Sequence, residues 1–115
     1  MHELGLLRGV VAAVSDAADK ADARGVRTVA LRVGTAAGVV REALEGSWPM
    51  ACSGSRVAGA QLQVDWVPAT VWCQDCQADQ PIDEFFALAC PVCDAITPAM
   101  PKGREFEIAW VDLEV

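Results

Sequence analysis

Residues 73–93 read CQDCQADQPIDEFFALACPVC, two C-x-x-C pairs separated by thirteen residues. Each pair, Cys73 with Cys76 and Cys90 with Cys93, can present two thiolates to one ion at about 2.3 Å, and the loop between them is long enough to close a tetrahedral four-sulfur shell. Four thiolates fill the coordination sphere, so zinc held there is structural and keeps no open position for catalysis. The competing chemistries are two disulfides, a thioredoxin-like redox pair and a four-cysteine iron centre. A redox motif needs only one C-x-x-C at the start of a helix, and Pro81 with no helical pattern after either pair argues against it. Few aliphatic residues surround the cysteines, so metal binding has to supply most of this segment's folding free energy.

Working outward, Leu62, Val64 and Trp66 alternate with Gln61, Gln63 and Asp65, a strand closed by Pro68. Beyond the cysteines, Phe106, Ile108 and Trp110 alternate with Glu105, Glu107 and Ala109, and Val111 shifts the phase before Leu113 and Val115, as a bulge would. Residues 69–104 show little periodicity and read as an insertion whose ends return close together, because the two flanking strands would most economically pair with each other. Upstream, Leu4, Leu7, Val11, Val14, Ala18 and Ala21 follow helical spacing with one buried stripe, and Gly25 offers its stop. Val29, Leu31 and Val33 predict a strand with one covered face, ended by Gly34. Val40, Ala43, Leu44 and Ser47 predict a second helix that Pro49 would break or kink before Cys52. The expected class is α+β, with a core from Leu7, Val11, Leu31, Val33, Leu62 and Ile108.

Composition bounds the function. A chain of 115 residues, 53% hydrophobic and 22% charged, builds one core with a small appendage, and whole-chain disorder is excluded. Sixteen acids against nine bases give a charge of −7, with the bases scattered, so neither nucleic acid nor a membrane surface is an expected partner. Leu4–Val14 is apolar, but Glu3 replaces the basic flank of a secretory signal and Arg8 interrupts the run. The expected compartment is a reduced cytoplasm, where paired cysteines hold metal. Cys52, the fifth cysteine, reads as a free buried thiol.

The single histidine stands at position 2. A lone histidine is more often packing than ligand, but here the Met1 amine, the His2 amide nitrogen and the His2 imidazole can close chelate rings on one ion. A fourth donor from Glu3, through its amide nitrogen or carboxylate, completes a square of N and O ligands suited to Ni(II) or Cu(II). Nickel is favoured in a reduced cytoplasm, where copper would be Cu(I) and would seek thiolates. No Ser-His-Asp set, phosphate-binding glycine loop or paired-carboxylate cleft competes.

The opening Met1-His2-Glu3-Leu4, the Val33-Gly34 strand end, the Gly59-Ala60-Gln61-Leu62 strand entry and the two C-x-x-C pairs together resemble the HypA/HybF nickel metallochaperones over nearly the whole chain. The resemblance implies two helices on a three-stranded sheet as a nickel-binding domain, residues 1–68 plus 105–115. A zinc-ribbon-like zinc domain, residues 69–104, is inserted before the last strand. It implies a nickel site at His2, Glu3 and Met1, and a structural zinc site at Cys73, Cys76, Cys90 and Cys93. It further implies a cytoplasmic non-enzyme that carries Ni(II) for [NiFe]-hydrogenase, and in some organisms urease. The partners would be a nickel-insertion GTPase and the hydrogenase large subunit, with a homodimer left open. The chain departs from the family where members carry an acid near Val40, for which Glu42 or Asp16 would have to stand in, and where many carry Glu at Arg32. The alternatives are a zinc-ribbon adaptor that scaffolds an assembly without nickel transfer, and a thiol oxidoreductase using Cys73 and Cys76.

Overall fold

The computed structural model describes residues 2–82, 88–97 and 99–115. Helix α1 spans His2–Lys20 and buries Leu7, Val10, Val11, Val14 and Ala18. Its stop is Asp22, not Gly25. Asp22 adopts φ 54°, the Asp22 N–H donates to the Asp19 carbonyl at 3.1 Å, and the Ala23 N–H donates to the Ala18 carbonyl at 2.9 Å. These are the two bonds of a Schellman C-cap, with Asp tolerating the left-handed position that Gly usually fills. Gly25 instead opens strand β1, Gly25–Gly34.

Strand β1 buries the consecutive residues Val29, Ala30 and Leu31, so both of its faces are covered, where alternation alone predicts one. It is the middle strand of a sheet ordered β2-β1-β5, with β2 at Gln61–Val67 and β5 at Phe106–Glu114. The strands flanking the cysteine segment therefore pair with β1 and not with each other. The reason is the connection through helix α2, Arg41–Cys52. Thr35 N–H donates to the Val67 carbonyl at 2.9 Å, and Gly59 and Gln61 share a cleft with residues 25–28, so β1 and β2 run in the same direction and need a crossover. Strand β5 runs antiparallel to β1, with N–H to carbonyl bonds from Gly34 to Glu105 at 2.8 Å and from Arg24 to Glu114 at 2.6 Å.

The molecule divides into two compact units, the first comprising Met1–Leu31, Val39–Asp65 and Glu107–Val115, the second Arg32–Gly38 and Trp66–Phe106. In the first, α1 and α2 pack on each other, and Leu7, Val14, Val29, Leu31, Leu44 and Val57 are fully buried. Pro49 sits inside the last turn of α2 without ending it. The turn is held by burial of Trp48, Ala51 and Cys52 and by the Trp48 indole N–H, which donates to the Ala60 carbonyl at 2.8 Å. These interactions outweigh the one helical bond a proline removes. Val40 is the N-cap rather than a helical residue, extended at φ −87° and ψ 123°. Ile108, expected in the core, is exposed together with Trp110, whereas Val111 and Leu113 are half-buried. Val111 and Leu113 follow the phase shift read at Val111, but Ile108 and Trp110 before it face solvent on an edge strand.

The second unit holds two strands that periodicity misses, β3 at Thr70–Cys73 and β4 at Ala78–Pro81, paired antiparallel with Cys73 opposite Ala78 and Thr70 opposite Pro81. Four residues are too few to display a period. Val33, Ala69, Val71, Cys73, Cys90 and Thr97 are the buried side chains of its small interior. Gly103, at φ +124°, lies so close to Ala69 that a Cβ there would sit 2.6 Å from the Ala69 Cα. Among the described residues no helix is long and apolar enough to cross a membrane.

Candidate metal centre

The four clustered cysteines come from two turns built alike. The first C-x-x-C pair forms the turn between β3 and β4, where the Cys76 N–H points at Cys73 Sγ at 3.3 Å. The second closes an isolated bridge between Ala89 and Ile96, where the Cys90 N–H donates to the Ala95 carbonyl at 2.8 Å and the Val92 N–H points at Cys90 Sγ at 3.4 Å. In each turn the residue after the second cysteine is left-handed, Gln77 at φ 53° and Asp94 at φ 64°. That twist turns the chain back so that both sulfurs of a pair face one point.

All four Sγ atoms lie within 4.8 Å of one another, with Cys73 to Cys93 at 3.5 Å and Cys76 to Cys90 at 3.9 Å. A tetrahedron with zinc–sulfur arms of about 2.3 Å has edges of about 3.8 Å, whereas a disulfide needs about 2.05 Å. The spacing fits one shared ion and not two bonded pairs, and all five cysteines are free. Cys73 and Cys90 are buried, Cys76 is half-buried and Cys93 is exposed.

The thiols are not equivalent. Burial pushes the Cys90 thiol up, but N–H donation from Cys93 and Val92 outweighs it and brings the group down to about 7. Thiol hydrogen bonds with Cys93 and Cys73 push Cys76 up to about 12. The backbone thus favours the Cys90 thiolate while the surrounding thiols shift Cys76 upward, as expected where several sulfurs crowd one point. Cys52 stands outside this group, 2% exposed at the end of α2, with its thiol raised to about 11 by burial.

The second predicted site lies in the first turn of α1. His2 is exposed, and its Nδ1 is 3.6 Å from Glu3 Oε2. The Glu3 carboxylate also accepts the Val40 backbone N–H at 3.2 Å, which holds its pKa below the ordinary value. The resemblance implies that position 40 approaches the nickel site through an acidic side chain; what sequence reasoning missed is the bond from the Val40 backbone N–H to Glu3. The signal was the hydrophobic Val40 at a helix start, where no side-chain cap is possible. Met1 lies outside the described residues. Asp16 is paired with Lys20 at 3.0 Å, fourteen residues along α1 from His2, about 20 Å at helical rise, so it does not replace the acid missing at Val40. Arg32 lies near Glu105 and helps lower that carboxyl, behind its backbone N–H bonds.

The family model for hydrogenase/urease nickel-incorporation metallochaperones, HypA, matches residues 1–113. The chain belongs to the HypA family. It is similar to the hydrogenase maturation factor HypA of Chloroflexus aurantiacus, 39% identical over 112 residues that cover 97% of this chain and 98% of the relative. The HypA of Methylocella silvestris is 36% identical over 114 residues, covering 99% and 100%. The solution structure of the nickel metallochaperone HypA from Helicobacter pylori superposes with a TM-score of 0.67 at 15% identity, covering 98% of this chain and 97% of that one, which places both in one fold. The two helices, three-stranded sheet and four-cysteine cluster of this chain are thus set in the HypA fold.

Proposed function

We propose that this HypA protein carries Ni(II) at Met1, His2 and Glu3 for [NiFe]-hydrogenase maturation, and that Cys73, Cys76, Cys90 and Cys93 hold a structural zinc. On this reading residues 1–68 with 105–115 handle nickel and residues 69–104 are the zinc domain. The protein acts without catalysis, in the cytoplasm, with a nickel-insertion GTPase and the hydrogenase large subunit as partners. The observation that carries the reading is the position of exposed His2 beside Glu3 at the very start of α1.

That position suits a carrier. The first N–H groups of a helix have no intrahelical acceptor, so the amides of His2 and Glu3 can release their protons to solvent as they bind a metal, without breaking a helical bond. The positive end of the helix dipole opposes a bound cation, and solvent exposure lets a recipient approach, both of which favour release over retention. Glu3, with its carboxylate committed to Val40, offers its amide nitrogen as the fourth donor. Zinc in the other site would have four sulfurs and no free position, so it shapes the domain and performs no chemistry.

Calorimetric titration with Ni(II) tests the reading on untagged protein, a His2→Ala variant and a form extended by one N-terminal glycine. Both changes are expected to remove the square-planar nickel absorption. Unchanged nickel binding in His2→Ala would return the chain to the zinc-adaptor alternative.

A further inference from the structure

The first unit carries a cleft of about 670 Å³ lined by Arg24, Arg27, Arg56, Gly59, Asp112 and Glu114. It lies beyond the C-terminal end of α1, a nineteen-residue helix about 28 Å long whose other end holds His2. Three of the chain's nine Lys and Arg meet there, in a protein of net charge −7.

The three guanidinium groups are differently engaged. Arg56 is fixed in place, with Nη1 donating to Asp19 Oδ1 at 2.7 Å and Nη2 to the Ala23 carbonyl, which leaves three of its five N–H donors. Arg27 meets Asp112 at only 3.8 Å with both side chains about half exposed, a screened pair that exchanges readily for a better one. The Arg24 side chain has no ion pair or hydrogen bond among the described residues. Around them the rim is open. A Cβ at Gly25 or Gly59 would meet no atom within 4 Å, so an extended backbone can approach closely.

We propose that this cleft docks an acidic, carboxylate-bearing peptide segment of a partner protein. The two carboxylates in the lining decide between a peptide and a compact anion. Asp112 and Glu114 repel a small dianion held among the arginines. A peptide spaces its carboxylates so that each finds a separate guanidinium, and its backbone N–H groups can donate to Asp112 and Glu114. A partner held here is about a helix length from His2 and leaves that residue uncovered. The docking site stands whether or not His2 carries nickel.

The test uses the zinc-loaded full chain, labelled with nitrogen-15 and titrated with a hexaglutamate peptide. Amide shifts are expected at Gly25, Thr28, Gly59 and Gln61, with affinity falling as salt is raised. Arg24→Glu with Arg27→Glu is expected to weaken binding at least ten-fold, and the milder Arg24→Gln with Arg27→Gln at least three-fold with unchanged circular dichroism. Arg8→Glu with Lys20→Glu alters net charge equally outside the cleft and is expected to change affinity less than two-fold. The proposal is overturned if that control pair loses as much, if hexaglutamine binds equally, if inorganic phosphate displaces the peptide at equal concentration, or if the shifts fall elsewhere. Nickel titration of the Arg24→Gln, Arg27→Gln protein is expected to match the parent, so failure of the nickel site and failure of the cleft are read separately.

Discussion

The Glu3 carboxylate accepts the backbone N–H of Val40 at 3.2 Å, joining the first turn of α1 to the N-cap of α2 across thirty-seven residues of sequence. Val40 has no side chain able to cap its own helix, and an acid from the other helix satisfies its amide instead.

This bond gives Glu3 a pH signature. Its folded pKa is lowered, first by the Val40 N–H and then by its own N–H, so the link is complete above the unfolded value near 4.5 and is lost only as pH falls through the lower folded value. The Val40 amide resonance is therefore expected to hold its position through the range where free glutamates titrate, and to move at lower pH. Glu3→Ala should displace that resonance at every pH. Glu3→Gln, which keeps an acceptor and the backbone nitrogen, should keep nickel affinity within a few-fold of the parent by calorimetry; a hundred-fold loss would assign the fourth nickel donor to the carboxylate.

Thiol reactivity should separate Cys52 from the cluster. With zinc bound, no cysteine is expected to alkylate rapidly. After a strong chelator, four should react and Cys52 should not, because burial raises its thiol to about 11 and leaves it 2% exposed. Mass spectrometry of the alkylated chain counts them. Cys73→Ala should abolish stoichiometric zinc yet keep the helical circular dichroism, since α1 and α2 have their own buried core in the first unit.

Trp48 should be the most sensitive position in α2. Its side chain is 6% exposed, so Trp48→Ala is expected to cost about 3–5 kcal/mol in urea unfolding at fixed zinc. Trp48→Phe keeps most of the packing but leaves the Ala60 carbonyl without its indole donor, a loss of about 1–3 kcal/mol. If the two variants were equally stable, the hydrogen bond would carry the whole effect and the packing none.

Gly103→Ala should be worse tolerated than its single methyl suggests. The residue sits at φ +124°, and the added carbon would lie 2.6 Å from the Ala69 Cα. Backbone on one side and a left-handed conformation on the other leave no cheap adjustment, so a cost above about 3 kcal/mol is expected. The readout is the thermal midpoint of the zinc-loaded protein, with Gly38→Ala, also left-handed but in open space, as the milder control.

What the sequence determined by itself is local. The stripe along α1 fixed which face is buried, alternation located β1, β2 and β5, and the two C-x-x-C pairs located the cysteine cluster, since the sulfurs three positions apart within each turn need only that turn to converge. Tertiary structure decided everything that depends on pairing distant segments. Placing β1 between β2 and β5 buried Ala30, which alternation left outside, and made β5 an edge that exposes Ile108 and Trp110. Packing of Trp48 carried α2 through Pro49, against the local rule. Glu3 beside Val40, and Arg24, Arg27 and Arg56 around one cleft, are contacts between residues with no periodic relation. A periodic pattern records which face of one element is buried; the partner that covers it is chosen by the closing of loops and the fit of side chains, which no single segment encodes.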